Sequence, residues 1–475
     1  MVEIAVQDLV RATGAALHVG AAERVCRGCA IDSREVGKDA IFVAFPGERV
    51  DGNAFAPKAI EAGAACVVLT VEPSEELLSL AAEHGCAVLT CDDPTEFLLR
   101  LAKDYRARLG CTVIGVTGSI GKTTTKDVLS ALLAKRYRVH ATRGNYNNLI
   151  GLPLTILSAP ADTQVLVLEM GMDGAGQIER LAACAQPTFA VITKVGTSHI
   201  GMLGSRENIA CAKAEIISGM ASGTADCRPT LVLHGEDDFT PYIIERFAQP
   251  ANVDVVLAGT SIDDDVYAAH VELDDEGHPS FDITFEDGTT LRTHVAVAGA
   301  QSVPNVLFAV AVAHRLGVSC AEIDEALGAL ELTGRRAQVR RTADGGRVID
   351  DSYNASPESM AAGLDLLASL PCTGARIAVL GEMGEQGDEA ARLHALTGAY
   401  AAAKKLNLLV CVGGELAQEM AAAARMMGMD EGDVQVVSSC DVLIDRYAKL
   451  LREHDLMLVK GSRFVGLDRF VEEVC

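Results

Sequence analysis

The stretch Val116-Thr-Gly-Ser-Ile-Gly-Lys-Thr-Thr-Thr-Lys126 carries glycines, a lysine and hydroxyl side chains at the spacing of a phosphate-binding loop. The usual pattern, G-x-x-x-x-G-K-[ST], begins with a glycine, and this sequence has Val116 at that position. A loop of this kind would hold the phosphates of a nucleoside triphosphate. The candidate phosphate-binding residues are Thr117, Gly118, Ser119, Ile120, Gly121, Lys122, Thr123 and Thr124.

Each residue type in this loop has a physical use. Gly118 and Gly121 allow the backbone to approach a phosphate closely, and the N–H groups at the start of a helix point toward an anion. Lys122 neutralises charge, and the Thr123 hydroxyl can bind Mg²⁺. A glycine-rich connector without a ligand is the alternative. The apolar run before the loop predicts a strand and the residues from Lys122 to Leu133 predict a helix, which favours the phosphate site.

A site for Mg²⁺ and ATP also needs acidic or imidazole ligands, which open α/β sheets place at the carboxyl ends of their strands. Glu169 ends the apolar run Val165–Leu168, and His199 follows the next such run, Phe189–Thr193. Lys213 lies in a helical segment further along. Each also has an ordinary interpretation, as a loop carboxylate, a surface imidazole or a solvated helix residue. For a single histidine or lysine, residue type and position alone favour the ordinary interpretation.

Such candidates require a sheet that positions them, and the chain alternates apolar runs with helical stretches as an α/β protein does. Its 475 residues exceed what one hydrophobic core usually organises, so we expect three domains. We predict a small α/β N-terminal domain at 1–108 and a central P-loop mononucleotide-binding domain with a mainly parallel sheet at 109–330. A C-terminal Rossmann-like domain is predicted at 331–475.

The pattern of the central domain changes near residue 228. The stretch Phe281–Leu291 has apolar residues at every second position around Asp287-Gly288, which is a hairpin signal. We therefore predict an antiparallel β extension between about residues 228 and 298, followed by a helix from Val303 to Leu316. In the flanking domains short apolar runs predict strands at Ala40–Phe45, Ala65–Leu69, Cys86–Thr90, Arg376–Leu380, Leu408–Val412 and Leu456–Val459.

Charge and composition exclude several classes of protein. With 41 basic against 65 acidic residues the net charge is −24, which argues against binding to nucleic acid or anionic membranes. No apolar run approaches the ~18 residues that span a bilayer, and no export signal is visible, so a cytoplasmic protein is expected. The 14 scattered cysteines predict reduced thiols, because Cys26 and Cys29 form the only C-x-x-C pair and lack a second ligand pair.

The loop from Thr117 to Thr124 resembles that of the Mur ligases, whose loop runs T-G-[TS]-x-G-K-T. These are ATP-dependent enzymes that form amide bonds in peptidoglycan precursor synthesis. The resemblance covers nearly the whole chain. Further matching segments are Ile31-Asp-Ser-Arg34, Phe45-Pro-Gly47, Asp51-Gly52, Gly144-Asn-Tyr-Asn-Asn148, Gly151, Pro153, Asp350-Asp-Ser-Tyr-Asn-Ala-Ser-Pro357, Leu380-Gly-Glu-Met-Gly384 and Lys460-Gly-Ser-Arg463.

The segments at 144–148 and 350–357 resemble the branch of the family that joins D-alanyl-D-alanine to UDP-N-acetylmuramoyl-tripeptide. The resemblance implies these two substrates, ATP with Mg²⁺, and a monomer. ATP would phosphorylate the terminal carboxylate of the stem tripeptide, and the dipeptide amine would attack the acyl phosphate. Two alternatives remain, namely the family member that adds the third amino acid and a P-loop ATPase that switches partner binding.

The resemblance also implies roles for the candidate catalytic residues. Lys122 would hold phosphate, and Thr123, Glu169 and His199 would bind Mg²⁺. Lys213 would carry a carbamate formed with CO₂, which converts an ammonium into an anion able to hold a cation beside the phosphates. Because CO₂ reacts with the neutral amine, the surroundings of Lys213 must lower its pKa.

Residues from the rest of the chain would complete the two binding sites. By resemblance Asn305 lies near the adenine, Asp351 faces the ribose, and Arg335 reaches the phosphates when the domains close. The residues expected to bind the substrates are Ser33, Arg34, Asn147, Asn148, Asn354 and Arg463.

Three positions depart from the family pattern. The family's G-x-H-[NQ] segment has Gln301 in place of the histidine, its D-G-H has Asn53, and its N-A-N-P has Ser356. The contacts at these positions stay open, whereas the reaction class does not depend on them.

Overall fold

The computed structural model describes residues 1–47, 50–220, 228–334 and 336–475. Arg335, one of the predicted ATP-binding residues, lies outside the described residues. The described residues form sheets of five, nine and six strands and one two-stranded sheet.

The N-terminal strands are β1 (Glu3–Ala5), β2 (Ala16–Val19), β3 (Val25–Arg27), β4 (Cys29–Ala30), β5 (Ile41–Val43), β6 (Cys66–Leu69) and β7 (Ala87–Thr90). The helices are α1 (Val6–Thr13), α2 (Ala56–Glu61), α3 (Glu75–His84) and α4 (Pro94–Leu109). Strands β4, β5, β6 and β7 are parallel neighbours, β2 pairs antiparallel with β7, and β1 pairs with β3. Helix α4 begins where the Asp93 carboxylate accepts the N–H groups of Thr95 and Glu96.

The central strands are β8 (Thr112–Thr117), β9 (Val139–Ala141), β10 (Val165–Glu169), β11 (Phe189–Ile192), β12 (Thr230–His234), β13 (Asp254–Gly259), β14 (Val266–Leu273), β15 (Pro279–Thr284) and β16 (Thr290–His294). The helices are α5 (Lys122–Ala134), α6 (Gly151–Ser158), α7 (Gln177–Ala185), α8 (Ile200–Leu203), α9 (Arg206–Ala214), α10 (Thr240–Ile243), α11 (Val303–Arg315) and α12 (Cys320–Gly328). The strand order is β16-β15-β14-β13-β12-β11-β8-β10-β9.

The antiparallel part of this sheet is shorter than predicted. The seven strands β8 to β14 all pair with one another in parallel. Among the described pairs of this sheet, only β14–β15 and β15–β16 are antiparallel. The prediction was wrong for β12 and β13, because β12 is a continuous apolar run that is almost entirely buried, as a central parallel strand must be. The hairpin at Asp287-Gly288 is confirmed, with Thr284 opposite Thr290 and Gly288 at a φ of 80°.

The C-terminal strands are β17 (Gln338–Arg341), β18 (Arg347–Asp351), β19 (Arg376–Gly381), β20 (Leu408–Val412), β21 (Val434–Val437) and β22 (Leu456–Lys460). The helices are α13 (Pro357–Ser369), α14 (Ala390–Ala402), α15 (Glu415–Met426), α16 (Cys440–Tyr447) and α17 (Leu467–Val474). The strand order is β17-β18-β22-β19-β20-β21, and only β17 is antiparallel. Short 3₁₀ segments lie at Gly52–Phe55, Glu215–Gly219, Ala300–Ser302, Gly387–Glu389, Glu431–Asp433 and Arg463–Val465, and a π-helical turn lies at Ile244–Ala248.

The cores follow the sheet faces. One core runs from the N-terminal sheet through α4 to one face of the central sheet, and the Tyr105 hydroxyl donates to the Ala159 carbonyl at 2.8 Å between them. The other face of the central sheet packs against α5, α11 and α12. Two further cores cover the two faces of the C-terminal sheet. Apolar runs therefore became buried strands, and the carboxyl ends of those strands carry the candidate site residues.

The cysteines that the structure describes form no disulfide. Burial raises the pKa of the Cys29 thiol to about 12, so this member of the C-x-x-C pair is a protonated thiol at neutral pH. Among the described helices, none has the length and apolarity needed to cross a bilayer.

Candidate active site

The phosphate-binding loop connects the end of β8 to the first residue of α5. Gly118 has a φ of 146° and Gly121 a φ of 84°, which favour glycine. A Cβ atom at Gly118 would lie 1.9 Å from Oγ1 of Thr193, and one at Gly121 would lie 2.2 Å from Oδ1 of Asn305. Both glycines are therefore required by close packing, and Val116, at the position of the missing glycine, is a buried strand residue.

Lys122 lies at the start of α5 with its amine folded over the loop. Its Nζ donates to the carbonyl of Gly118 at 2.7 Å. Burial lowers the pKa of Lys122, and the nearby Glu169 carboxylate opposes this effect. Since its hydrogen bonds here go to loop carbonyls, the amine can turn to an incoming phosphate without breaking an ion pair.

Glu169 ends β10 beside the loop, where it is 3% exposed. Its Oε2 accepts from the Thr123 hydroxyl at 2.8 Å, and its Oε1 accepts from Nδ2 of Asn147 at 2.8 Å. Its backbone N–H donates to Oγ1 of Thr142 at 3.0 Å, which fixes the end of the strand. A carboxylate and a hydroxyl that share one position supply the oxygen ligands that Mg²⁺ prefers.

His199 lies at the N-terminus of α8 with a φ of 66°, and its partner comes from the C-terminal sheet region. Its Nδ1 is 2.7 Å from Oε2 of Glu385, and this contact with His199 lowers the pKa of the Glu385 carboxyl. Ligand atoms of Asp173, His199 and Glu385 all lie within 4.8 Å of one another. Sequence reasoning missed Asp173 and Glu385, since neither ends a predicted strand.

The structure groups the predicted cation ligands differently from the sequence expectation. Glu169 pairs with Thr123, whereas His199 belongs to the group with Asp173 and Glu385. Lys213, in the last turn of α9, is 1% exposed. Its pKa is well below the usual value, mainly because of burial and then because of the positive charge of Lys122.

The C-terminal domain contributes a second charged group. Nζ of Lys460 donates to Oδ2 of Asp351 at 2.5 Å and to the carbonyl of Asn354 at 3.0 Å. The guanidinium of Arg336 lies 4.7 Å from the centre of the Tyr353 ring. Lys460 and Arg336 thus place two cations on the C-terminal side of the cleft. Lys460 is the last residue of β22, directly after four apolar residues.

Both walls face one cleft of about 1310 Å³. The predicted residues that line it are Ser119, Ile120, Gly121, Lys122, Thr123, Thr124, Asn147, Asn148, Glu169, His199, Asn305, Asp351, Asn354 and Arg463. Thr117 and Gly118 lie directly behind this lining, in the strand end and the turn. Asn305 accepts from Oγ1 of Thr125 at 3.3 Å, which holds its amide against the loop.

Ser33 and Arg34 do not line the cleft. They follow β4 in the N-terminal domain, and the Arg34 guanidinium donates to Asp32 at 2.6 Å. These hydrogen bonds lower the pKa of Asp32 to about 2. The structure therefore places this pair outside the cleft that contains the phosphate loop.

Contacts across the cleft join the central and C-terminal parts. Oε1 of Glu358, on α13, accepts from the backbone N–H of Thr197 at 2.7 Å. Gly201 and Gly387 pack so closely that a Cβ atom at Gly201 would lie 2.5 Å from the Gly387 nitrogen. The described arrangement is therefore closed along this edge of the cleft.

Comparison with protein families covers all three parts of the chain. Residues 25–106 match the model described as Mur ligase family, catalytic domain, and residues 116–313 match the Mur ligase middle domain. Residues 335–463 match the Mur ligase, glutamate ligase domain. The chain belongs to the Mur ligase family.

Individual relatives align along nearly the full length of this Mur ligase. It is 36% identical over 454 residues to the UDP-N-acetylmuramoyl-tripeptide–D-alanyl-D-alanine ligase of Bacillus subtilis (strain 168), covering 95% of this chain and 94% of the relative. A crystal structure of MurF from Acinetobacter baumannii aligns with a TM-score of 0.88 at 27% identity, covering 100% and 99% of the two chains. MurF ligase from Thermotoga maritima in complex with ADP aligns with a TM-score of 0.80 at 26% identity, covering 94% and 97%.

A Mur ligase of another specificity is less similar. The structure of a UDP-N-acetylmuramoyl-L-alanyl-D-glutamate–2,6-diaminopimelate ligase aligns with a TM-score of 0.55 at 17% identity, covering 97% of this chain and 93% of the other. That similarity shows the fold alone.

The three departures from the family pattern have separate structural reasons in this Mur ligase. Asn53 accepts from the N–H of Thr70 at 3.0 Å, so its amide holds the N-terminal fold. Ser356 caps α13 in a capping box with Ser359. Gln301 lines the cleft with its amide folded over Gly299, and Ser356 also lines the cleft, whereas Asn53 does not.

Proposed function

We propose that this Mur ligase joins D-alanyl-D-alanine to UDP-N-acetylmuramoyl-tripeptide, with conversion of ATP to ADP and phosphate. The observation that carries the proposal is the single cleft in which a phosphate loop with its adjacent carboxylate faces side chains of the C-terminal domain. Full-length similarity to a ligase with this name and to two MurF structures supports the choice of substrates.

The reaction begins when a carboxylate oxygen of the tripeptide attacks the γ-phosphorus of ATP and the bond to ADP breaks. The amine of D-alanyl-D-alanine then attacks the acyl carbon, loses a proton, and phosphate leaves with the former carboxylate oxygen. Lys122 and the loop N–H groups hold the phosphates through both steps, since catalysis here rests on positioning and charge neutralisation. The contacts of Glu358 with Thr197 and of Gly201 with Gly387 join the central and C-terminal parts beside the cleft, and further closure on the substrates would exclude water from the acyl phosphate.

Glu169 and Thr123 would hold Mg²⁺, and His199 would add an imidazole ligand. The oxygen ligands at Glu169 fit this ion, since a buried carboxylate already accepts a hydrogen bond from the hydroxyl. When bound, the ion neutralises phosphate charge against the incoming carboxylate.

Lys213 would carry the carbamate. Its buried position favours the neutral amine, which reacts with CO₂ and releases a proton. The resulting anion would lie near Lys122, whose positive charge lowers the pKa of the unmodified Lys213. An unmodified, charged Lys213 would instead repel a cation at the same place.

The remaining predicted residues would divide between nucleotide and substrates. Asn305, Asp351 and Arg335 would bind ATP, with Lys460 holding Asp351 in place. Ser33 and Arg34 in the N-terminal domain would contact the nucleotide-sugar, and Asn147 and Asn148 the peptide. Asn354 and Arg463 would bind the dipeptide. We place the domain boundaries after residues 108 and 330 and expect a cytoplasmic monomer.

The proposal is tested by supplying matched acceptors. The protein is incubated with ATP, Mg²⁺ and either UDP-N-acetylmuramoyl-tripeptide plus D-alanyl-D-alanine or UDP-N-acetylmuramoyl-dipeptide plus the third amino acid. Phosphate and product mass are followed in parallel. We expect amide product and phosphate in equal amounts with the first pair alone. Product with the second pair would establish the third-residue ligase, and phosphate release that ignores both acceptors would establish an ATPase.

A further inference from the structure

A second cluster of ligand-type side chains lies in the β extension, on residues that do not line the ATP cleft. The turn between β14 and β15 carries Asp274 and His278, and β16 ends at His294. Ligand atoms of these three side chains all lie within 4.8 Å of one another. Two imidazoles and a carboxylate are ligands of divalent transition metals.

The distances within this cluster are close to those of a metal site. Nδ1 of His278 is 3.5 Å from Oδ2 of Asp274. The rings of His278 and His294 have centres 5.8 Å apart and planes at 86°. Ligand atoms about 2.0–2.1 Å from Zn²⁺ in a tetrahedral set are roughly 3.3 Å apart. Small side-chain rotations would therefore complete the geometry.

The backbone and neighbouring side chains orient two of the ligands. Oδ1 of Asp274 accepts from the N–H groups of Glu276 and His278 at 2.9 and 2.8 Å, which leaves Oδ2 for a cation. Nδ1 of His294 lies 3.1 Å from Oγ of Ser280, its direct partner across the β15–β16 pair. A hydrogen bond there directs Nε2 of His294 away from the strand, as outer partners do at metal sites.

We propose that Asp274, His278 and His294 bind one divalent transition metal ion of the Zn²⁺ class. Three protein ligands leave a fourth position for water or for Glu276, whose Oε2 is 4.0 Å from Nδ1 of His278. Two imidazoles among three ligands favour a transition metal over Mg²⁺, whose ligands are mainly oxygen atoms. This site is therefore separate from the magnesium position at Glu169 in both place and chemistry.

The same turn touches the C-terminal domain, which gives the metal a structural consequence. Nη1 of Arg347 donates to the carbonyl of Asp275 at 3.3 Å, and Arg341 pairs with Glu276 at 3.8 Å. A Cβ atom at Gly277 would lie 2.7 Å from the side chain of Leu370, the residue that follows α13. A bound ion would hold this turn to β16, and so fix the surface on which the C-terminal domain rests.

The test measures Zn²⁺ binding by competition with a chromophoric chelator, in excess Mg²⁺ that occupies the catalytic position. Wild type is compared with His278→Ala and His294→Ala. We expect wild type to bind one more equivalent than either variant, or each variant to bind that equivalent at least about tenfold more weakly. Ser280→Ala should weaken the same equivalent without removing it.

His270→Asn is the matched control, because it removes an exposed imidazole from the same extension, and asparagine tolerates the left-handed φ of 52° there. This variant should bind Zn²⁺ as wild type does. Zn²⁺ should raise the melting temperature of wild type and the control but not of His294→Ala, and circular dichroism verifies that each variant is folded. Equal affinity and stoichiometry in all of these proteins would overturn the proposal and assign the bound Zn²⁺ to thiols or to the cleft.

Discussion

Glu169→Gln isolates the charge of the carboxylate beside the phosphate loop. The glutamine amide has the same shape, so its oxygen can accept from Nδ2 of Asn147 while its NH₂ group donates to the Thr123 hydroxyl. Both contacts survive, and the free energy of unfolding should stay within about 1 kcal/mol of wild type. What disappears is one negative charge that is 3% exposed.

The size of the kinetic effect follows from that burial. With Mg²⁺ bound, the carboxylate and the cation would form a buried charge pair, and removing one member of such a pair costs about 3–5 kcal/mol because the remaining charge is left without compensation. At about 1.4 kcal/mol for each factor of ten, kcat/KM should fall by roughly 10²-fold to several thousandfold. Part of the loss should appear as a higher KM for Mg²⁺, since the carboxylate would be a ligand of that ion.

The assay follows phosphate release with both acceptors present while Mg²⁺ is varied. Glu419→Gln, an exposed change on α15, is the matched control and should leave the kinetics unchanged. An activity within threefold of wild type at limiting Mg²⁺ would refute the assignment of Glu169 to the cation. A much lower free energy of unfolding for Glu169→Gln would instead refute the claim that glutamine keeps the hydrogen bonds to Asn147 and Thr123.

Four further predictions rest on the same geometry. Lys213→Ala should lose activity and recover part of it with added short carboxylic acids; a fully active variant would remove the lysine from the site. In CO₂-free buffer the folded state binds fewer protons than the unfolded state between the lowered and ordinary pKa values of Lys213. The free energy of unfolding of wild type should then fall as pH drops through that window. The free energy of unfolding of Lys213→Met should fall less over the same window, as measured by urea unfolding. Gly118→Ala should abolish the ADP-induced rise in melting temperature, because its Cβ would lie 1.9 Å from Thr193. Asn147→Ala should raise the KM for Mg²⁺ about tenfold by releasing Glu169, and a change confined to the peptide KM would contradict that role.

Local pattern predicted most of the framework. The strand before the loop and the helix after it are confirmed as β8 and α5, because an apolar run followed by glycines and helix-forming residues specifies both within a few positions. The hairpin at Asp287-Gly288 is also confirmed, because alternating apolar residues around an Asp-Gly turn specify a hairpin locally. The start of the antiparallel region was predicted too early, since pairing direction depends on the neighbouring strands and not on the strand itself.

The local pattern of the sequence located only part of the candidate site, namely the phosphate loop and the carboxylate that ends a buried strand. Glu169 ends β10 and was predicted as a candidate ligand from that position. Glu385 instead contacts His199 from a loop 186 positions later in the chain (residue 385 against residue 199). Lys460 also ends a strand, but its pairing with Asp351 joins segments 109 positions apart, so the local pattern did not indicate that contact. Contacts between distant segments carry no local signal, so only the folded chain reveals them.

The transfer of phosphate to a peptide carboxylate is tested most directly with ¹⁸O in both oxygens of the terminal carboxylate of the tripeptide. The protein is allowed a single turnover with ATP, Mg²⁺ and D-alanyl-D-alanine, and the released phosphate is analysed by mass. Attack of the carboxylate on the γ-phosphorus predicts one ¹⁸O atom in each phosphate and one in the new amide carbonyl. Phosphate that contains no ¹⁸O would contradict the acyl phosphate.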